Sequence, residues 1–297
     1  MSIFLSTAHD KRRRRTRHQV EQLDGQIFDV LAADHPQSIR HVFYRMTNPR
    51  LAEPVDKSDQ GYRAVQHRIT EMRRAGILKY SWITDATRRG YHTHTYTSGS
   101  HFLRSVASLY RADLWAQSDT YVEVWCESRS IAGVIEDDCR ALAVSLYPAG
   151  GFSSISLAYQ AAENINYATD DGERSALIFY IGDYDPAGVL IDVSIERELR
   201  THLHPNVSLS FGRIAITEEQ IEEYDLPTRP RKPKDLRASH VRASVEAEAM
   251  PAHILRQLLV ENIEEHLPVG ALHVARVAER SEREHIERMA SMFEGVR

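Results

Sequence analysis

Asp183 and Asp185 stand one residue apart, directly behind the apolar run LIFYI at 177–181 and Gly182. A continuous apolar run of this kind marks a central parallel strand covered on both faces, and ligands of such sheets bind outside the strands' carboxyl ends. Glu127 closes a second β-rich stretch, TYVEVWC at 120–126, at the equivalent end. Three carboxylates brought to one crevice repel each other unless a cation neutralises them. An oxygen-only donor set favours Mg²⁺ or Mn²⁺ over zinc. Pro186 and Gly188 shape a tight turn into the next helix. A D-x-D pair after a strand also serves as a turn and helix cap; Glu127 at the matching end of another strand favours the metal. Elsewhere, Arg40 and Tyr44 lie one helical turn apart, so their side chains share a face. That face differs from the apolar stripe of the same segment, so Tyr44 is not expected in the core.

The elements that must position these groups follow from periodicity. Val20, Leu23, Ile27 and Leu31 fall on one stripe of a helix over 18–31. Pro36 suits the first turn of a second helix, whose core face is Ile39, Val42, Phe43 and Met46. Tyr62, Val65, Ile69 and Met72 face inward from a third, which Gly76 ends. The stretch ILKYSWITD then alternates like the strand of a wing. Three helices and a small hairpin predict a winged helix over 18–90, a form that lays a helix in a DNA groove. Residues 91–118 read as a connector with one helix. From 119 onward strands and helices alternate, which predicts an α/β domain with a parallel sheet running to 297, α+β when the whole chain is counted.

Composition narrows the classes. With 297 residues, 42% hydrophobic, the chain can bury a real core. No run of about 18 apolar residues offers a membrane span, and no secretory apolar segment follows the first Met, so a cytoplasmic protein is expected. The two cysteines, Cys126 and Cys139, have no metal-ligand spacing and read as buried thiols. His92, His94 and His101 lack partner cysteines or acids at zinc spacing, and a polar strand or loop is expected there. Formal net charge is −5, which excludes bulk attraction to nucleic acid but not a local basic face. Cationic blocks do occur, KRRRRTRH at 11–18 and RPRKPKDLR at 229–237. The first lies on a basic tail, 1–17.

Glu127 with D183-Y-D185-P-A-G resembles the Toprim domain of topoisomerases, primases and some nucleases. With a winged helix upstream, the pattern is similar to the A subunit of type IIB topoisomerase (topoisomerase VI) and the meiotic double-strand-break transesterase. That family carries Arg, three residues, then a catalytic Tyr preceded by an aromatic; here the stretch is R40-H-V-F-Y44. The segment RASVEAEAMPAHILRQLLVENIEEHL resembles the family's E-x-E/D-A-L stretch and the helix after it. The resemblance runs from about 36 to 266, and the short chain is like the stand-alone bacterial and phage forms. The family usually has Lys after the first Glu; here Ser128 and then Arg129 follow, with Arg129 as the replacement charge. No stretch resembles the ATPase B subunit, so ATP gating would need a separate chain.

The resemblance implies a dimer on duplex DNA, nucleoid-associated, in which the Tyr of one protomer works with the metal site of the other. Tyr44 would attack the phosphate, leaving a 5′-phosphotyrosyl link and a free 3′-OH. A free Tyr is a weak nucleophile at neutral pH. Arg40 would stabilise the phenolate and clamp the phosphate, and Mg²⁺ or Mn²⁺ on Glu127, Asp183 and Asp185 would stabilise the transferring group and the leaving oxygen. Arg63, Arg68, Arg73, Arg74, Arg129, Lys234 and Arg237 are candidates for holding DNA phosphates. Glu246 reads as a strand-end carboxylate that could also join the metal environment. Two other readings stay open, a Toprim nuclease hydrolysing with metal-bound water and a DNA-binding relative that does not cleave.

Overall fold

The structure is a computed structural model describing residues 15–84, 93–150, 155–230, 238, 241 and 243–294, and of Ile155 the backbone alone. It begins with helices α1 (Arg17–Ala33), α2 (Ile39–Met46) and α3 (Asp59–Arg74). Each starts at a hydroxyl cap: Thr16, Ser38 and Ser58 accept from the N–H of Gln19, His41 and Gly61. Leu23, Ile27 and Leu31 of α1, Val42 and Met46 of α2, and Val65, Ile69 and Met72 of α3 are buried, as the apolar spacing predicts. Gly76, at φ +72°, ends α3 in the left-handed region that glycine enters without strain.

Two local expectations fail. Pro36 lies outside α2, which starts three residues later because Ser38 supplies the cap. No wing strand forms over 77–84; Tyr80–Trp82 is a 3₁₀ turn, and Ile83 makes one isolated bridge to Gln37. The alternation has another cause. Trp82 stacks on His35 at 4.8 Å and packs against Phe28, while Leu78 is buried and Tyr80 is left outside under Arg73.

Ser38 is 4% exposed, and its hydroxyl also bonds His41 Nδ1 at 2.9 Å. Ser38→Ala removes both bonds and is expected to cost about 1 kcal/mol. Thermal unfolding should show a drop of roughly 2–4 °C for a chain of this size; an unchanged midpoint would mean that the cap contributes nothing.

Helix α4 (Gly99–Ala107) leads into strand β1 (Thr120–Cys126), helix α5 (Arg129–Ala141), strand β2 (Ser145–Pro148), helix α6 (Ile155–Ala168), strand β3 (Ser175–Ile181), helix α7 (Gly188–His202) and strand β4 (Leu209–Ala215). The four strands form one parallel sheet in the order β2-β1-β3-β4. Chain alternation of strand and helix produces this, because each parallel return needs a crossover. One face packs Trp125, Ile178 and Tyr180 against α6 and α7. The other packs Val124, Cys126 and Ile181 against α5 and a later helix, α9 (Ala252–Glu264). Both cysteines are free and buried, as the sequence implies.

Short helix α8 (Glu218–Glu223) and the two-residue antiparallel pair β5 (Arg229–Pro230) and β6 (Ala243–Ser244) precede α9. Helix α10 (Ala271–Glu294) packs against α4, pinned by Arg104–Glu294 and by Arg111–Glu279 at 3.2 Å. The core on the α5/α9 face continues without a break into α1, α2 and α3, through a 3₁₀ turn at Ala247–Ala249. That shared core fixes α2 against the end of the sheet. No helix among the described residues is long and apolar enough to cross a membrane.

Candidate active site

In the order β2-β1-β3-β4, the chain leaves β1 toward β2 on one side and returns to β3 on the other. The crevice between the carboxyl ends of β1 and β3 is therefore the topological switch point, where open α/β sheets place ligands. Glu127 follows β1 and Asp183 follows β3, so the two carboxylates meet there. The Asp183 N–H donates to Glu127 Oε2 at 2.9 Å, and the Ala247 N–H donates to Asp183 Oδ1 at 2.9 Å. Asp185 turns the other way. Its Oδ1 accepts from the N–H groups of Ala187 at 2.8 Å and Gly188 at 2.6 Å, capping α7. Gly188 is required by this turn, since a Cβ there would sit 2.2 Å from the Asp183 carbonyl oxygen.

Two groups that sequence reading passed over complete the crevice. Glu248 is 5% exposed and accepts from Ser128 Oγ at 3.2 Å and from Ser130 Oγ. Arg213 of β4 braces the turn: it donates to the carbonyls of Gly182 at 3.0 Å, Asp183 at 3.2 Å and Gly188 at 2.8 Å, and pairs with Asp192 at 2.8 Å. Burial, and then the negative charges of Glu127 and Glu248, push the Asp183 carboxyl up to about 8. Burial also raises Glu127, against the Asp183 N–H bond, with Asp185 adding to the rise.

Arg40 and Tyr44 approach the same crevice from α2. Both reach Glu246, the residue before the 3₁₀ turn: Arg40 forms an ion pair with it, and the Tyr44 hydroxyl hydrogen-bonds to it. Arg229 pairs with the other oxygen of Glu246 at 3.2 Å, and the Lys57 ammonium stands 5.3 Å from the Tyr44 ring centroid. Burial and the Arg229 charge bring the Lys57 ammonium down to about 8. Glu246 is thus the hub of a cationic cluster rather than a bare strand-end carboxylate. Tyr44 is a correction to the sequence reading. It is 4% exposed and belongs to the core, because the face of α2 that the apolar spacing leaves open is covered by the 3₁₀ turn. Burial, with Glu246 alongside, holds its phenol protonated far above the ordinary tyrosine range. The Tyr44 ring also forms part of the wall of a cavity of about 380 Å³, lined by Val30, Arg45, Arg50, Tyr224 and Pro227.

The donor types at the switch point fit an oxygen-loving divalent cation, and a positive charge there would relieve the carboxyl that crowding and burial have raised. The arrangement is not a preset cage. Among the described residues no three or more His, Cys, Asp or Glu side chains stand where they could hold a metal ion. Each of Glu127, Asp183 and Asp185 accepts a backbone N–H instead, and Asp185 serves α7.

The phosphate candidates scatter. Arg63 and Arg129 are exposed. Arg68 is committed to Asp24 through two bonds of 2.7 and 2.6 Å. Arg73 lies over the Tyr80 ring, and Arg74 pairs with Glu71 on its own helix. Lys234 and Arg237 lie outside the described residues, as do His92 and most of the first basic block. His94 and His101 are exposed, with His101 bonded to Thr97. Only Glu246 and Glu248 of the overlooked residues left a sequence signal, the acidic alternation E-A-E at 246–248. Lys57, Arg213 and Arg229 left none, since surface cations of this kind are common and their partners lie far along the chain. No protein-family model matches the chain, and no curated protein or solved structure matches it either.

Proposed function

We propose that this protein cleaves duplex DNA by tyrosine transesterification, in the manner of the topoisomerase VI A subunit that its motifs resemble. One observation carries the reading. Arg40 and Tyr44 are joined through Glu246 to the turn whose Ala247 N–H binds Asp183, so phenol, guanidinium and acidic crevice form one connected site. In this reading Tyr44 Oη attacks the phosphorus, the bond from phosphorus to the 3′ oxygen breaks, and the 3′ oxygen leaves as a hydroxyl after taking a proton from water. Arg40, about half exposed, turns from Glu246 to the phosphate and offsets its charge. Mg²⁺ or Mn²⁺ on Glu127, Asp183 and Asp185 would supply charge neutralisation at the phosphoryl group and the leaving oxygen. A second copy of the chain would cut the other strand, and a separate ATPase-type subunit would supply any gating.

A specific observation also favours hydrolysis. Tyr44 is buried and firmly protonated, the wrong state for an attacking phenolate, whereas the acidic crevice suits a nuclease that activates water. The two chemistries separate on supercoiled plasmid with Mg²⁺ or Mn²⁺, quenched with detergent, with and without proteinase. Transesterification is expected to give protein-linked breaks that fall by about a thousandfold or more in both Tyr44→Phe and Asp183→Ala. Protein-free breaks that survive in Tyr44→Phe but vanish in Asp183→Ala would establish hydrolysis. Binding without breaks would leave a DNA-binding protein.

A further inference from the structure

Tyr44 touches the acidic crevice of its own chain, and the fold holds it there. The contact runs from Tyr44 and Arg40 to Glu246, then one residue on to Ala247, whose N–H sits on Asp183. Three features make it part of the architecture. Val42 and Met46 of α2 share a buried cluster with Ala247, Ala249 and Met250, each under 5% exposed. Asp34, just after α1, is tied to α9 by an ion pair with Arg256 and by accepting the His253 N–H at 3.1 Å. Lys57 donates to the Pro227 carbonyl on the far side of the Tyr44 ring. Moving α2 toward another protomer would open this core, expose Tyr44 and strip Glu246 of two of its partners, each a separate cost.

We infer that the tyrosine and the carboxylate crevice serving one DNA strand belong to one chain, with Glu246 as the residue that positions Tyr44 and Arg40 in cis. This rests on the transesterase reading, and it departs from the trans arrangement that the family resemblance implies. The reaction balances as given above, with the proton of Tyr44 passing to water.

The test is complementation between full-length chains carrying different tags, purified through both tags and assayed for detergent-trapped adducts on nicked and supercoiled DNA. Tyr44→Phe paired with Asp183→Ala has no intact site in cis, so no adduct is expected. Wild type paired with the Tyr44→Phe, Asp183→Ala double variant keeps one intact site in cis, so single-strand adducts at about half the wild-type level are expected. The opposite pattern, adducts from the first pair and none from the second, would overturn the proposal. If mixed pairs cannot be isolated because wild type runs as a monomer on DNA and still forms adducts, the site is complete in one chain and the proposal stands. Wild type that forms no adduct under any of these conditions would instead remove the transesterase reading itself, and the cis assignment with it. The positioning role has its own readout. Glu246→Gln should slow adduct formation at saturating DNA by about 100-fold while leaving the half-saturating DNA concentration unchanged, and Glu246→Asp should restore part of the rate. An unchanged rate in Glu246→Gln would overturn that role.

Discussion

Arg213→Ala is expected to destabilise the protein by about 4 kcal/mol at neutral pH. The side chain is 14% exposed, as is its partner Asp192. Its guanidinium holds Asp192 of α7 and three carbonyls, those of Gly182, Asp183 and Gly188, and lies 5.1 Å from the Tyr180 ring centroid. Alanine would leave a half-buried carboxylate without its cation and three carbonyls without a donor. Stranding a charge in this way is among the largest single-site penalties, since desolvation remains and the compensating attraction is gone. Lysine should recover only part of the loss, because a point ammonium cannot reach four acceptors in a plane as a guanidinium does. Denaturant unfolding of the three proteins, with slopes compared to check that the transition is unchanged, measures this directly. A loss under about 1 kcal/mol would show that water replaces Arg213 at the turn.

Arg213 also bears on chemistry. It is a cation beside the acidic crevice and lowers the Glu127 carboxyl, opposing the rise that burial causes. Its removal is expected to leave Glu127 and Asp183 more fully protonated, and so to weaken any use of them as anions. Structural and electrostatic roles coincide here because one side chain closes the turn that delivers both aspartates.

What could be read from the sequence, and what could not, divides by distance along the chain. The stripes of α1, α2 and α3 were legible because a 3.6-residue period is local, and β3 because a two-faced buried strand is a continuous apolar run. The meeting of Glu127 with Asp183 was legible once both were placed at strand ends. The role of Glu246 was not, since its ion pair with Arg40 spans 206 residues and nothing near either residue records it. Tyr44 was misplaced for the same reason. A helix of eight residues shows one apolar stripe in sequence, but α2 is packed on a second side by a turn from the other end of the chain. The false wing arose because Leu78, Trp82 and Ile83 are apolar through packing on α1 and α3 rather than through strand pairing.

A second large effect is expected from pH, through Glu123. This carboxyl lies on β1, fully buried, four residues before Glu127. It accepts from Trp125 Nε1 at 2.8 Å and from Tyr121 Oη at 2.9 Å. Burial outweighs these bonds and raises it from 4.5 to about 7. A carboxyl raised in the folded state binds its proton more tightly there than in the unfolded chain. Its neutral form therefore favours folding below about pH 4.5, and that contribution is lost as pH rises through about 7. Glutamine should not suffer the loss. Its carbonyl can still accept from Trp125, and its amide can donate to a Tyr121 hydroxyl that has rotated away. Glu123→Gln is thus expected to be nearly neutral at pH 5 and to stabilise the protein by about 2 kcal/mol at pH 8. Denaturant midpoints across that range would test it. A difference between the two proteins that stays constant with pH would mean that Glu123 remains ionised in the folded state, with Trp125 and Tyr121 together compensating the buried charge.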